Sequence, residues 1–276
     1  MIRLIALDID GTLLDSHGNI PPGNRHAIAR AIDQGVEIVL ATGRRYDFAR
    51  PIFEALPGPL TLILSNGAIV KTKDGRTLIR SLLPLSHARA VLAETLEHRE
   101  SAALIFDRPL EGQVVFERVD WEHPRHSRFF HANRPFITEM RPLEEALVED
   151  PVQVMFTGAC ADMRTLFTRL RAAGPYSVAL TEYMHRDFSL VDVVRAGCSK
   201  GTALRAWAER RGLSREQVMA VGDNLNDLEM LEYAGCPVLM ANALPELKTR
   251  GWAVTASNDA AGVSEAIETL VLRKAS

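Results

Sequence analysis

Apolar residues along this chain gather in short runs that stop abruptly at polar ones, and the first run is the sharpest. Ile5-Ala6-Leu7 leads straight into Asp8-Ile9-Asp10-Gly11-Thr12. An apolar segment of strand length bounded by such a break reads as a strand buried on both faces. Ala27, Ile28, Ala31 and Ile32 then share one helical face behind Pro21-Pro22, and Gly35 is placed to end that helix. Val36 to Leu40 is a second strand-like run, ending in Ala41-Thr42-Gly43-Arg44, and a helix-like stretch containing Pro51 follows it. Leu60 to Leu64 is a third, ending in Ser65-Asn66-Gly67. Strand, helix, strand, helix, strand predicts an α/β fold with a parallel sheet. Each strand delivers its polar residues at its C-terminal end.

The rhythm changes after that. Val70 to Ile79, broken at Asp74-Gly75, reads as a hairpin, and Ser86 to Arg99 as a helix capped by Ser86. Strand-like runs at 104–106, 114–116, 152–156 and 176–180 surround helix-like segments at 143–148 and 162–173, an α+β pattern. Residues 84–187 are therefore read as a second domain inserted into a first that comprises 1–83 and 188–276. The earlier pattern then resumes. Ser199 to Arg211 is amphipathic, with Leu204, Trp207 and Ala208 inward and Gly212 as a stop. Ser214 to Gln217 matches a capping box. Val218 to Val221 is a strand running into Gly222-Asp223-Asn224-Leu225-Asn226-Asp227, behind which Leu228 begins a helix that Gly235 can end. Val238 to Met240 and Ala253-Val254 are further short strands, and Asp259 to Leu272 is a closing amphipathic helix.

Composition narrows the function classes. At 276 residues, 47% apolar and 24% charged with a formal net charge of −3, the chain has the balance of a globular protein. It lacks the basic excess that nucleic acid demands. No apolar run reaches the roughly 20 residues of a membrane span. Cys160, Cys198 and Cys236 are far apart without a Cys-x-x-Cys pair, which fits reduced core residues better than a zinc or disulfide framework. With no signal-peptide pattern at the start, a cytoplasmic location is expected.

The chemistry lies at the strand ends. Asp8 and Asp10 are two apart, so an extended chain aims both the same way, and Gly11 permits a tight turn beside them. Two close carboxylates repel unless a cation or a shared proton relieves them, and a hard divalent ion such as Mg2+ does so through oxygen ligands. Taken singly, the same residues also read as an ordinary strand end, Thr42 as a helix cap, and Asp223 with Asp227 as an acidic first turn. Lys200 is different: a lysine at a helix start opposes the macrodipole, which favours a specific anionic partner. A hydroxyl, an ammonium and two acidic clusters together suit phosphoryl transfer.

Asp8-x-Asp10-Gly11-Thr12, Thr42-Gly43, Lys200-Gly201 and Gly222-Asp223-x-x-Asn226-Asp227 resemble the four ordered motifs of the haloacid dehalogenase superfamily. Ser65-Asn66-Gly67-Ala68, Ser199 to Leu204 and the large insert between the second and third motifs resemble its Cof-type phosphatases. That resemblance implies a Rossmann-like three-layer core with a mostly parallel sheet, plus an inserted α+β cap. It implies Asp8 as nucleophile and Asp10 as acid and then base, with Thr42 and Lys200 completing the catalytic group. It further implies a Mg2+ site of Asp8, Asp10, Asp223 and Asp227, with Asp227 in support. Ile9, Thr42, Gly43, Arg44, Asn66, Lys200 and Asn226 would bind substrate or its phosphate. Ile9 and Cys198 depart from the family pattern at side chains without assigned chemistry.

The expected substrate is a small phosphorylated metabolite, with no nucleic acid or membrane partner and a monomer or weak homodimer. A phosphomutase of the same superfamily and a phosphometabolite-binding regulator are the alternatives, and Asp10 counts against the regulator. The stretch from Trp121 to His131 carries histidines without acidic or cysteine co-ligands at helix spacing. It reads as a solvated loop, or as a lip facing substrate, and the overlapping stretch from His123 to Arg134 offers Arg125, Arg128 and Arg134 to polar or anionic leaving groups.

Overall fold

The computed structural model describes residues 1–272 and divides into two compact units, one of residues 1–79 with 199 onward, the other Arg80–Cys198. The chain begins with β1 (Leu4–Leu7), α1 (Pro22–Asp33), β2 (Glu37–Ala41), α2 (Tyr46–Glu54), β3 (Leu60–Leu64), β4 (Ile69–Thr72) and β5 (Thr77–Arg80). The insert follows with α3 (Leu85–Glu94), β6 (Ala102–Ile105), β7 (Val114–Phe116), α4 (Ser127–Asn133), β8 (Ile137–Glu139), β9 (Gln153–Gly158), α5 (Cys160–Ala173), β10 (Tyr176–Tyr183) and β11 (Phe188–Arg195). The first unit is completed by α6 (Lys200–Arg210), β12 (Val218–Gly222), α7 (Leu228–Tyr233), β13 (Cys236–Leu239), α8 (Pro245–Lys248), β14 (Ala253–Val254) and α9 (Gly262–Ile267).

The sheet of the first unit has the order β14-β13-β12-β1-β2-β3-β4-β5. It is parallel from β14 to β3 and turns antiparallel where β4 returns along β3. β1 is central, with Leu4–Leu7 in register with Glu37–Leu40 on one side and Val218–Val221 on the other. All four of its residues are fully buried, the expected state of an apolar strand covered on both faces. Leu4 and Ala6 join Val39, Val218, Ala220, Leu204, Ala208, Met230 and Leu231 in one core cluster beneath α6 and α7. Ile5 and Leu7 alternate to the opposite face, where α1 and α9 pack on each other. The result is a three-layer α/β/α arrangement.

The second unit has a sheet in the order β10-β11-β9-β6-β7-β8, antiparallel except where β7 and β8 run together. Its helix α5 buries Cys160, Met163, Leu166 and Leu170 and packs against β9, β10 and β11. This is the α+β insert the sequence predicts, but its return boundary moves. Phe188–Arg195, assigned to the core by the 187/188 boundary, pairs along its whole length with β10 and along Ser189–Val193 with β9. A buried strand cannot leave its two neighbours, so the insert ends at Cys198.

Smaller corrections follow from local geometry. Pro84, not Ser86, stands at the start of α3, whose α-helical part stops at Glu94 before a 3-10 stretch from Leu96 to Ser101. The closing helix is interrupted: Ala261 adopts a left-handed conformation between a 3-10 turn at Asn258–Ala260 and α9, and Glu268–Leu272 winds as a π-helix. The Trp121 to His131 stretch is not simply a solvated loop, because α4 forms there and His126 and Phe130 are buried. Phe130 meets Phe116 edge-on at 5.4 Å, and His126 stacks on His123 at 4.2 Å. Arg125 pairs with Asp187 at 2.8 Å and the Arg134 guanidinium lies 4.9 Å from the Trp121 ring centroid, while Arg128, exposed like both of them, has no such partner among the described residues. No helix among the described residues is long and apolar enough to cross a membrane.

Candidate active site

Because β12, β1, β2 and β3 are parallel neighbours, their C-terminal ends lie along one edge of the sheet. Asp223, Asp8, Thr42 and Ser65 are the residues that follow those four strands. An open α/β sheet puts its chemistry at this edge, since the strand ends present side chains that the body of the sheet cannot bury in contact with apolar neighbours. α6 supplies the remaining group from its first turn. Ser199 caps that helix through a reciprocal bond with Thr202, which fixes the direction in which Lys200 departs.

The Lys200 ammonium is fully buried and donates to Asp8 Oδ1 at 2.6 Å and to Asp227 Oδ1 at 2.7 Å. Asp227 Oδ2 accepts the backbone N–H groups of Asp223 and Asn224, each at 3.0 Å. Both oxygens of Asp227 are therefore engaged, and it orients Lys200 and the Gly222–Asn224 turn. Asp223 Oδ1 accepts from the Thr12 hydroxyl at 3.0 Å. Gly11 has φ +81°, and a Cβ there would stand 2.4 Å from Asp223 Oδ2, so this position needs glycine for its conformation and for the close approach.

Asp8, Asp223 and Asp227 offer ligand atoms within 4.8 Å of one another. Burial pushes the Asp8 carboxyl up to about 8, with Asp227 adding to the effect and Lys200 opposing it. Burial and the Asp8 and Asp227 carboxylates push Asp223 well above the usual range. Burial disfavours the Lys200 ammonium, but Asp227 and Asp8 outweigh it and hold the proton firmly. Three carboxylates with one ammonium leave two formal negative charges, which one divalent cation cancels. The donors are all oxygen, and the Oδ2 atoms of Asp8 and Asp223 accept no hydrogen bond among the described residues. This set fits a hard cation such as Mg2+.

Other expected residues also converge here. The Thr42 hydroxyl accepts from Arg44 N–H at 3.1 Å, which leaves its own hydrogen to donate elsewhere. Asn226 donates to the Asn66 side-chain oxygen at 3.0 Å. Gly67, with φ +99°, would place a Cβ 2.1 Å from the Ser199 carbonyl, so the Ser65–Gly67 turn packs directly on the backbone that starts α6. Two expectations need correction. The Ile9 side chain is fully buried, so only its backbone could meet a substrate. Arg44 engages Asp10 with two hydrogen bonds rather than standing as an open anion ligand. Asn242, which no motif marks, donates to the Gly11 carbonyl at 2.7 Å and accepts from Asn258 N–H at 2.9 Å, fixing the turn behind Asp10. A single asparagine in a loop carries no spacing signal, so only the fold reveals it.

A buried lysine bridging two carboxylates beside a third, at the carboxyl edge of a parallel sheet, is the arrangement of a phosphoryl-transfer site. A family described as haloacid dehalogenase-like hydrolase matches residues 5–267. The chain is 30% identical over 271 residues to the pyridoxal phosphate phosphatase YbhA of Escherichia coli (strain K12), with 96% of this chain and 97% of the relative covered. It is 32% identical over 251 residues to an HMP-PP phosphatase of Serratia proteamaculans (strain 568), covering 90% of this chain and 87% of that one. A solved haloacid dehalogenase-like hydrolase from B. subtilis superposes with a TM-score of 0.84 at 25% identity, over 98% of this chain and all of the other. The chain belongs to the haloacid dehalogenase superfamily, in its Cof-type branch, and is a phosphoric monoester hydrolase.

Proposed function

We propose that this protein is a Mg2+-dependent phosphatase of small phosphorylated metabolites that works through an aspartyl-phosphate on Asp8. The observation that carries this reading is the Lys200 ammonium held between Asp8 and Asp227, with Asp223 in the same cluster. Asp8 Oδ2 is the oxygen that Lys200 leaves unengaged, and it attacks phosphorus while the bond to the leaving alcohol breaks. Asp10 gives its proton to that alcohol, then takes one from the water that cleaves the acyl phosphate. Thr42 and Asn226 donate to phosphoryl oxygens, with the Gly43 backbone beside them. Lys200 neutralises charge shared between Asp8 and the phosphoryl group. Asp8, the Asp10 carbonyl and Asp223 would hold the Mg2+, which supplies electrostatic neutralisation of the phosphoryl oxygens when bound.

These groups read only the phosphoryl end of a substrate. We therefore assign discrimination between leaving groups to the inserted unit, with the exposed Arg128 as one cationic side chain to test. Pyridoxal phosphate and HMP-PP, the compounds in the relatives' names, are phosphorylated compounds to try beside sugar phosphates and nucleotides. The test is a phosphate-release screen across these classes with the wild type and with Asp8→Asn, with and without Mg2+. Release by the wild type that depends on Mg2+ and falls at least about a thousandfold in Asp8→Asn is expected, because an amide is a poor nucleophile. Substantial turnover by Asp8→Asn in Mg2+-replete buffer would overturn the covalent assignment.

A further inference from the structure

The geometry points to Arg44 as a positioning residue for the Asp10 carboxyl, not as a ligand of the transferred phosphoryl group; this rests on the phosphatase reading above. Arg44 Nε donates to Asp10 Oδ2 at 2.8 Å and Nη2 to Asp10 Oδ1 at 2.7 Å, a two-point contact that occupies both carboxyl oxygens. Such a planar fork fixes a carboxyl group in orientation as well as in place.

The fork is itself held from behind. Its guanidinium carbon lies 4.4 Å from the centroid of the Phe48 ring, and Nη1 donates to the Phe48 carbonyl at 3.4 Å. The Arg44 backbone is tied on both sides, its N–H to the Thr42 hydroxyl at 3.1 Å and its carbonyl to Ser65 N–H at 3.0 Å. The motif Thr42-Gly43-Arg44 thus sets two functions from one turn. Thr42 faces the phosphoryl site, and Arg44 reaches across to the acid on the neighbouring strand end.

Asp10 has little else to hold it. It stands on a turn whose next residue, Gly11, is in the left-handed region, and among the described residues its side-chain hydrogen bonds are those from Arg44. An acid must meet the leaving oxygen within hydrogen-bond reach, so freedom at this side chain translates directly into lost proton transfer. Lysine keeps the charge of Arg44 but lacks the fork, and does not replace it at a two-point site.

The experiment separates the two roles by leaving group. An aryl phosphate such as p-nitrophenyl phosphate expels a stable phenolate and needs little help from an acid, whereas an alcohol phosphate needs the proton. kcat/KM is measured for p-nitrophenyl phosphate and for the best alcohol phosphate from the release screen, in wild type, Arg44→Ala and Arg44→Lys, together with Ki for inorganic phosphate. If Arg44 positions Asp10, both variants lose about 10- to 100-fold on the alcohol phosphate, part of the 10²–10⁴ that general acid catalysis typically contributes. The loss on the aryl ester is then at least about tenfold smaller, and Ki for phosphate moves less than about threefold. Equal losses on both esters with a Ki raised tenfold or more, or recovery by Arg44→Lys, would overturn the proposal and make Arg44 a phosphate ligand. Absence of phosphate release by the wild type would instead refute the phosphatase reading itself. The Lys variant keeps the test decisive should the Ala variant fold poorly.

Discussion

Gly11 offers a sharp test of how the acidic cluster is assembled, because Gly11→Ala changes no reacting group. At φ +81° an alanine pays the left-handed penalty of about 1–2 kcal/mol. Its Cβ would also stand 2.4 Å from Asp223 Oδ2 and 2.9 Å from the carboxyl carbon, where ordinary contact begins near 3.4 Å. Asp223 must therefore retreat by about 1 Å, and its 3.0 Å bond from Thr12 stretches or breaks. Losing a hydrogen bond to a charged group costs about 1.5–3 kcal/mol. Displacement of this size at a reacting centre is associated with about a 100-fold rate loss.

Gly18→Ala is the matched control. Gly18 has φ +85°, yet a Cβ there meets nothing within 4 Å, so this variant carries the backbone penalty without the contact. Thermal melting should show Gly18→Ala lowered by about 2–8 °C, from 1–2 kcal/mol at roughly 2–4 °C each, and Gly11→Ala by about 5–20 °C, since the lost hydrogen bond raises its cost to about 2.5–5 kcal/mol. Mg2+ titration of phosphate release should show Gly11→Ala needing several-fold more Mg2+ and turning over about 10- to 100-fold more slowly. Gly18→Ala should stay within about twofold of wild type on both, as an exposed turn free of contacts allows. Equal activity in Gly11→Ala and wild type, or an equal loss in Gly18→Ala, would show that the close approach to Asp223 is not what shapes the site.

Two further outcomes test the inserted unit. Burial, then His123 and Arg125, depress His126 to about 4, so the fold holds it neutral. Between that value and the ordinary 6.5 the unfolded chain binds more protons, so its stabilising contribution is complete above about 6.5 and is lost as pH falls toward 4. The melting midpoint of wild type should therefore fall more steeply over this range than that of His126→Phe, and parallel pH profiles would remove the effect. Arg128→Ala should reorder kcat/KM among alcohol phosphates by several-fold while an aryl phosphate changes less than about twofold, since cation contacts to a leaving group act on ranking. A uniform loss with the ranking intact would take Arg128 out of selection. Arg125 is the poorer probe, because its removal also frees Asp187, which accepts from Cys160 N–H at 3.0 Å.

Much of the first unit was legible from the chain alone. β1, β2, β3 and β12 announce themselves because a strand buried on both faces must be apolar throughout, and because polar residues can resume only where the sheet ends. For the same reason Asp8, Thr42 and Asp223 could be placed at one edge, given only that the strands are parallel. Lys200 was marked by its unfavourable place at a helix start. What the sequence by itself could not decide were the relations that cross long separations. The 187/188 boundary failed because β11 belongs to whichever sheet its neighbours form, and Phe188–Arg195 is apolar enough for either. The division of labour among the acids also waited for the fold: Asp227 and Asp223 are four residues apart, yet one spends both oxygens on Lys200 and backbone N–H groups while the other keeps one open. Arg44 reads as an anion ligand until Asp10, 34 residues earlier, is found within its fork. Local pattern determines which segments are buried and where they stop. Hydrogen-bond partners are chosen by three-dimensional proximity, which only the packed tertiary structure supplies.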